Sequence, residues 1–133
     1  MNDLLEKNAQ VKHNPGLNSL EVTFTGFVPY EMMVKALRHE YAMIRQYALK
    51  KCIIDLREMG IYAPGVGDLI KNEWFAQVTK EGMKKVAFVV PESVFGQQSM
   101  NKAHQTAKAE TALDIEYFKD LSSAKQWMGN LIE

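Results

Sequence analysis

The sequence predicts an α/β fold: one domain over residues 1–133, built as a mixed five-stranded sheet with four helices in the order β-β-α-β-α-β-α-β-α. Three observations carry this expectation. Leu20, Val22 and Phe24 alternate with Glu21, Thr23 and Thr25 just after the turn-forming segment NPGLN. A long apolar stripe then runs from Tyr30 to Ala48 at three- and four-residue steps. Finally, Val86 to Val90 is apolar at every position, as in a strand covered on both faces. Strands that alternate with helices need crossover connections, which favour parallel strands joined right-handedly.

Each element has its own signal. Ala9 to His13 and Ser19 to Phe27 flank the Pro-Gly turn and read as antiparallel strands, the second with one buried and one wet face. Gly26 and Pro29 open the first helix, whose stripe is Tyr30, Val34, Leu37, Tyr41, Ile44 and Ala48. Lys35, Arg38, His39, Arg45 and Gln46 lie off that stripe. Cys52 to Leu56 is the third strand, and a second helix from Val66 to Lys80 buries Ile70, Trp74 and Val78 before Gly82 closes it. A third helix, Phe95 to Lys108, has a thin stripe of Met100, Ala103 and Ala107. LDIEYF is the fifth strand. Asp120 caps the last helix, which turns Leu121, Ala124, Trp127, Met128 and Leu131 inward.

Composition narrows the function classes. Sixteen basic and sixteen acidic side chains balance to a formal net charge of zero. A general nucleic-acid binder needs a surplus of Lys and Arg, so no nucleic-acid partner is expected. The lone cysteine, Cys52, cannot pair internally and sits in an apolar strand, where it reads as a small buried hydrophobe. The mixed start MNDLLEKNAQVKH lacks the apolar region of a signal peptide, and no stretch approaches the roughly 20 apolar residues of a membrane span. A cytoplasmic protein without an integral membrane segment is therefore expected.

The candidate chemistry is sparse. His13, His39 and His104 fall on a strand and two separate helices without metal-ligand spacing, so neither metal nor cofactor is expected. GVGD lacks the glycine pattern and the Lys-Ser/Thr of a phosphate loop, and reads as turn and capping chemistry. The most suggestive charged group is Asp55, Arg57 and Glu58 at the carboxyl end of a central strand, with Glu92 and Ser93 at the end of its neighbour. Clefts at that edge are the default ligand site of open α/β sheets, although an ion pair closing the edge would look the same. Eight methionines, together with Tyr62, Trp74, Phe75 and Phe95, suit either an irregular core or an apolar pocket. Met59 to Gly67 carries Ile61 and Tyr62 and is expected to be a mobile recognition loop.

Four segments, CIIDLRE, NEWFAQV, GMKKVAFVVPESVFGQQSM and IEYFKDLSSAKQWM, together resemble the small bacterial STAS-like proteins. That family includes the anti-sigma-factor antagonists and, more remotely, is related to the CRAL-TRIO fold. The resemblance implies a STAS-like architecture acting through a protein partner. The antagonists carry a phosphorylatable serine at the start of the helix after the third strand. Here that stretch reads Tyr62-Ala63-Pro64-Gly65-Val66-Gly67-Asp68, with no Ser or Thr. The leading expectation is a non-enzymatic regulatory module that binds a protein partner or a small apolar ligand. Its site would draw on Asp55, Arg57, Ile61, Tyr62, Glu92, Ser93 and Phe95. The alternative is a small enzyme with an acid/base site at Asp55, Arg57 and Glu92. Oligomeric state stays open.

Overall fold

The structure is a computed structural model, and it describes residues 2–105, 107 and 111–129. Strands β1 (Leu4–Leu5), β2 (Ala9–Asn14), β3 (Ser19–Phe24), β4 (Lys51–Asp55), β5 (Lys85–Val89) and β6 (Asp114–Phe118) form one sheet among the described residues, with neighbours in chain order. β1–β2 and β2–β3 are antiparallel and the remaining seams are parallel. The sheet thus has one strand more than the sequence predicts. The two-residue β1 adds to the outer edge of β2 through Leu4 opposite Val11, too short a run for alternation to reveal.

Three crossovers lead from β3 to β4, β5 and β6, all stepping in the same direction. Right-handed connections that step one way place their helices on one face. That face carries α1 (Tyr30–Tyr47), the series α2 (Val66–Leu69), a π-helical turn (Ile70–Trp74) and α3 (Phe75–Lys80), and α4 (Val94–Ala103). Their buried side chains merge with Val22, Cys52, Ile54, Val86 and Phe88 into one core. The last helix, α5 (Leu121–Met128), covers the opposite face through Ala124 and Met128 on Ile53, Ala87 and Val89. Asp120 caps α5 by accepting from Ser123 N at 2.7 Å. At its other end, Lys85 Nζ donates to Trp127 O at 2.7 Å and Lys51 Nζ to Met128 O at 3.1 Å. Two strand lysines thereby satisfy the carbonyls that a helix leaves open.

Several sequence expectations need adjustment. The second helix is continuous in the chain but not in geometry, because a π-turn interrupts it. The inward arc of α1 is Met33, Ala36, Leu37, Glu40, Tyr41, Met43 and Ile44, so it is rotated from the apolar stripe. Tyr30 is exposed and Val34 only half-buried, while Ala48 ends the helix in a left-handed conformation. The rotation arises because a carboxylic acid, Glu40, occupies a position that an apolar count passes over. In α5, Leu121 and Trp127 are only partly buried. The inward placement of Leu131 and the Lys108 end of the third helix lie outside the described residues.

Candidate functional site

Parallel β3, β4 and β5 all end at one edge of the sheet, where the loops after them are laced together. Gly26 N donates to Glu58 O at 2.8 Å, Gly60 N to Gly26 O at 3.3 Å and Glu92 N to Arg57 O at 3.1 Å. Two glycines allow the lacing. At Gly65, φ is +86°, and a Cβ would lie 3.3 Å from the Tyr30 ring. At Gly96, in the first turn of α4, a Cβ would meet the Met59 carbonyl at 2.7 Å, closer than real contacts allow. The rim so assembled presents Phe27 (59% exposed), Ile61 (61%), Val94 (65%) and Phe95 (70%) to solvent, one or two from each loop.

The charged group sits beside them. Asp55 receives a bidentate pair from Arg57, with Nε at 3.0 Å and Nη2 at 2.8 Å, and its Oδ1 also accepts Arg57 N at 3.1 Å. Hydrogen bonding to Asp55 keeps the guanidinium firmly charged. Ser93 caps α4 by accepting from Gly96 N at 2.9 Å, and Glu92 stays on the surface. The structure therefore gathers Asp55, Arg57, Ile61, Glu92, Ser93 and Phe95 along one edge. Tyr62 departs from this set by turning inward. Met59, Ala63 and Val66 of the expected recognition loop are buried as well, while Ile61, Pro64 and Gly65 are exposed.

Behind the rim lies a small cavity of about 20 Å³ between the sheet and the helices. Phe24, Leu56 and Phe88 form its sheet side, Met33 and Leu37 come from α1, and Ile70 and Trp74 come from the π-turn. Tyr62 and His104 close it. The polar groups here are deeply desolvated. Glu40 is fully buried, and Trp74 Nε1 donates to its Oε1 at 2.8 Å while Oε2 has no partner. Burial pushes its carboxyl up to about 8, so the group is protonated at neutral pH. His104 is pulled down to about 3 by burial and stays neutral. Its Nδ1 lies 3.1 Å from the Tyr117 hydroxyl and its ring packs 4.3 Å from Phe88. Cys52 is buried as expected, its thiol pushed up by desolvation and by Glu40.

Sequence reasoning singled out neither Glu40 nor the exposed Phe27 and Val94. Glu40 stands three residues after Leu37 and four after Ala36, so helical spacing alone places it on the inward face. Among the described residues, no group of three or more His, Cys, Asp or Glu side chains is arranged to hold a metal. No helix among them is long and apolar enough to cross a membrane.

The fold itself has solved counterparts. The anti-sigma factor antagonist SpoIIAA, in its unphosphorylated form, superposes with a TM-score of 0.59 at 11% identity over 92% of this chain and 99% of SpoIIAA. The chain has the SpoIIAA-like, STAS-like fold. A protein of the DUF3478 family from Shewanella loihica PV-4, also with a SpoIIAA-like fold, superposes with a TM-score of 0.54 at 14% identity, covering 94% and 99% of the two chains. No family model and no curated protein matches the sequence. The mixed sheet and the helices expected from the sequence are those of this fold, apart from the added strand β1.

Proposed function

We propose that this chain is a regulatory protein-docking module of the cytoplasm that meets its partner through the rim at the carboxyl ends of β3, β4 and β5. The observation that carries the reading is the exposure of Phe27 and Ile61 on loops, and of Val94 and Phe95 at the start of α4, all at the one sheet edge where backbone hydrogen bonds tie these segments together. Large apolar side chains gathered at one edge mark an interaction surface, whereas single scattered ones do not. Phenylalanine and isoleucine on a rigid frame also lose little entropy when a partner covers them. The fold shared with an anti-sigma factor antagonist, a protein that acts on another protein, supports the same reading. The stretch Tyr62 to Asp68 holds no hydroxyl amino acid except the tyrosine, so docking here is not gated by a serine phosphate in that stretch. Arg57 and Glu92 flank the apolar patch and would set the orientation of the partner.

The test replaces Ile61 and Phe95 together with Ser in the full chain and measures partner capture from the native host beside urea stability. Loss of a specific, saturable partner with stability unchanged to within about 0.5 kcal/mol supports docking. Undiminished capture refutes it.

A further inference from the structure

Tyr62 belongs to two spaces at once. On its inner side it closes the 20 Å³ cavity. On its outer side it lines a groove of about 350 Å³ that runs between its own loop and α4, past Gly65, Lys71, Ser99 and Lys102. Tyr62 therefore stands between an apolar interior and a wet groove. It is also a poorly matched partition, since its hydroxyl is sealed from solvent and has no hydrogen-bond partner. Burying a hydroxyl in that state costs free energy that a ring without one would not incur. The backbone at Tyr62 is tied to α4 by Tyr62 N donating to Ser99 Oγ at a long 3.3 Å, and the exposed Ile61 precedes it.

We propose that the space held by Tyr62 is a binding site for a small amphiphile, with one uncharged apolar ring inside and a carboxylate in the groove. Tyr62 then acts as an internal stand-in for the ligand ring and swings outward when the ligand enters, which gives its hydroxyl access to water. The interior wall suits this ligand. It is largely carbon and sulfur from Leu37, Leu56, Met59 and Phe88, its indole N–H is already taken by Glu40, and His104 Nδ1 lies 3.1 Å from the Tyr117 hydroxyl. The π-turn contributes as well. Ile70 and Trp74 are its first and last residues, and both line the cavity. Inserted π-turns commonly mark functional sites. The groove lining holds two lysines, Lys71 and Lys102, and one carboxylate, Asp68, a balance that favours an anionic head. This inference stands independently of partner docking.

The experiment titrates the full chain with 3-phenylpropionate and follows the Trp74 indole N–H and the His104 ring by NMR. Saturable shifts at both groups are expected. Tyr62→Phe keeps the ring and removes the misfit hydroxyl, so it should melt at a higher temperature and bind about tenfold more weakly. Tyr62→Ala should bind more tightly than the native chain. The neutral analogue 3-phenylpropanol should bind more weakly than the acid, and Lys71→Gln with Lys102→Gln should erase that difference. Absence of saturable binding to the native chain overturns the site, even if Tyr62→Ala binds. Equal affinity of the native chain and Tyr62→Phe overturns the stand-in role, and equal affinity for acid and alcohol overturns the anionic head. If Tyr62→Ala does not fold, the comparison with Tyr62→Phe still decides.

Discussion

Two buried groups with opposite titrations should give this protein a flat-topped pH–stability profile. Glu40 is held protonated up to about pH 8, whereas in the unfolded chain it ionises near 4.5. Between those values the native state carries a proton that the unfolded chain has lost, so stability falls as pH rises. His104 behaves in the opposite sense. It remains neutral down to about pH 3, while the unfolded side chain is protonated below 6.5. Stability therefore falls as pH drops through that window. Each group contributes a slope of about 1.4 kcal/mol per pH unit. From pH 4.5 to 6.5 the two slopes cancel. From 6.5 to 8 only Glu40 acts, and about 2 kcal/mol should be lost. A similar loss is due to His104 between 4.5 and 3, where Glu81 and Asp120, both held below the usual carboxylate range by hydrogen bonds, make the acid limb steeper. Urea unfolding from pH 3 to 8 on the native chain and on Glu40→Gln is the assay. Glutamine can still accept from Trp74 but cannot ionise, so the variant should lose the alkaline limb, and its acid limb, no longer opposed, should extend up to about pH 6.5. An unchanged alkaline decline in Glu40→Gln would refute the assignment.

Other perturbations follow from the packing. Trp127→Ala should cost about 2 kcal/mol, less than the 3–5 kcal/mol of a fully buried aromatic, because the ring is half-exposed; it also removes the surface that Lys85 Nζ sits on, 4.1 Å from the ring centre. An unchanged melting temperature would mean that α5 is held without it. Gly96→Ala drives a methyl group into the Met59 carbonyl and the Pro91 side chain, so a loss of about 1–3 kcal/mol is expected, read by denaturation. Cys52, with no exposed surface, should label with a thiol reagent slowly in the native state and rapidly in denaturant, as followed by mass spectrometry.

The sequence announces the sheet and helices because their signals are local and repeated. Alternation in Ser19–Phe24, the unbroken apolar run of β5 and the cap at Asp120 all reappear in the structure. What stayed hidden depends on distances along no single element. A π-turn shifts the phase by one residue and leaves no compositional trace, so Ile70 and Trp74 were read as ordinary helix. Glu40 is charged in the alphabet but neutral in its surroundings, and only Trp74, 34 residues away, makes its place tenable. Tyr62 and Ile61 are neighbours, yet the more apolar Ile61 faces out and Tyr62 turns in. Loop direction is set by the lacing to Gly26 and Ser99, which no pattern in Met59 to Gly67 encodes.

The order of strands across the sheet has a consequence for how the chain is made. Each strand adds beside the one synthesised just before it, so the sheet can grow outward during translation, with each crossover closing a short loop. The last of the described helices to emerge is α5, and it alone among the described elements covers Ile53, Ala87 and Val89. Until it leaves the ribosome, the nascent domain displays a finished sheet with one greasy face bare. A ribosome stalled before Leu121 should hold an aggregation-prone intermediate that a holdase chaperone binds, and completion of the final helix should release it.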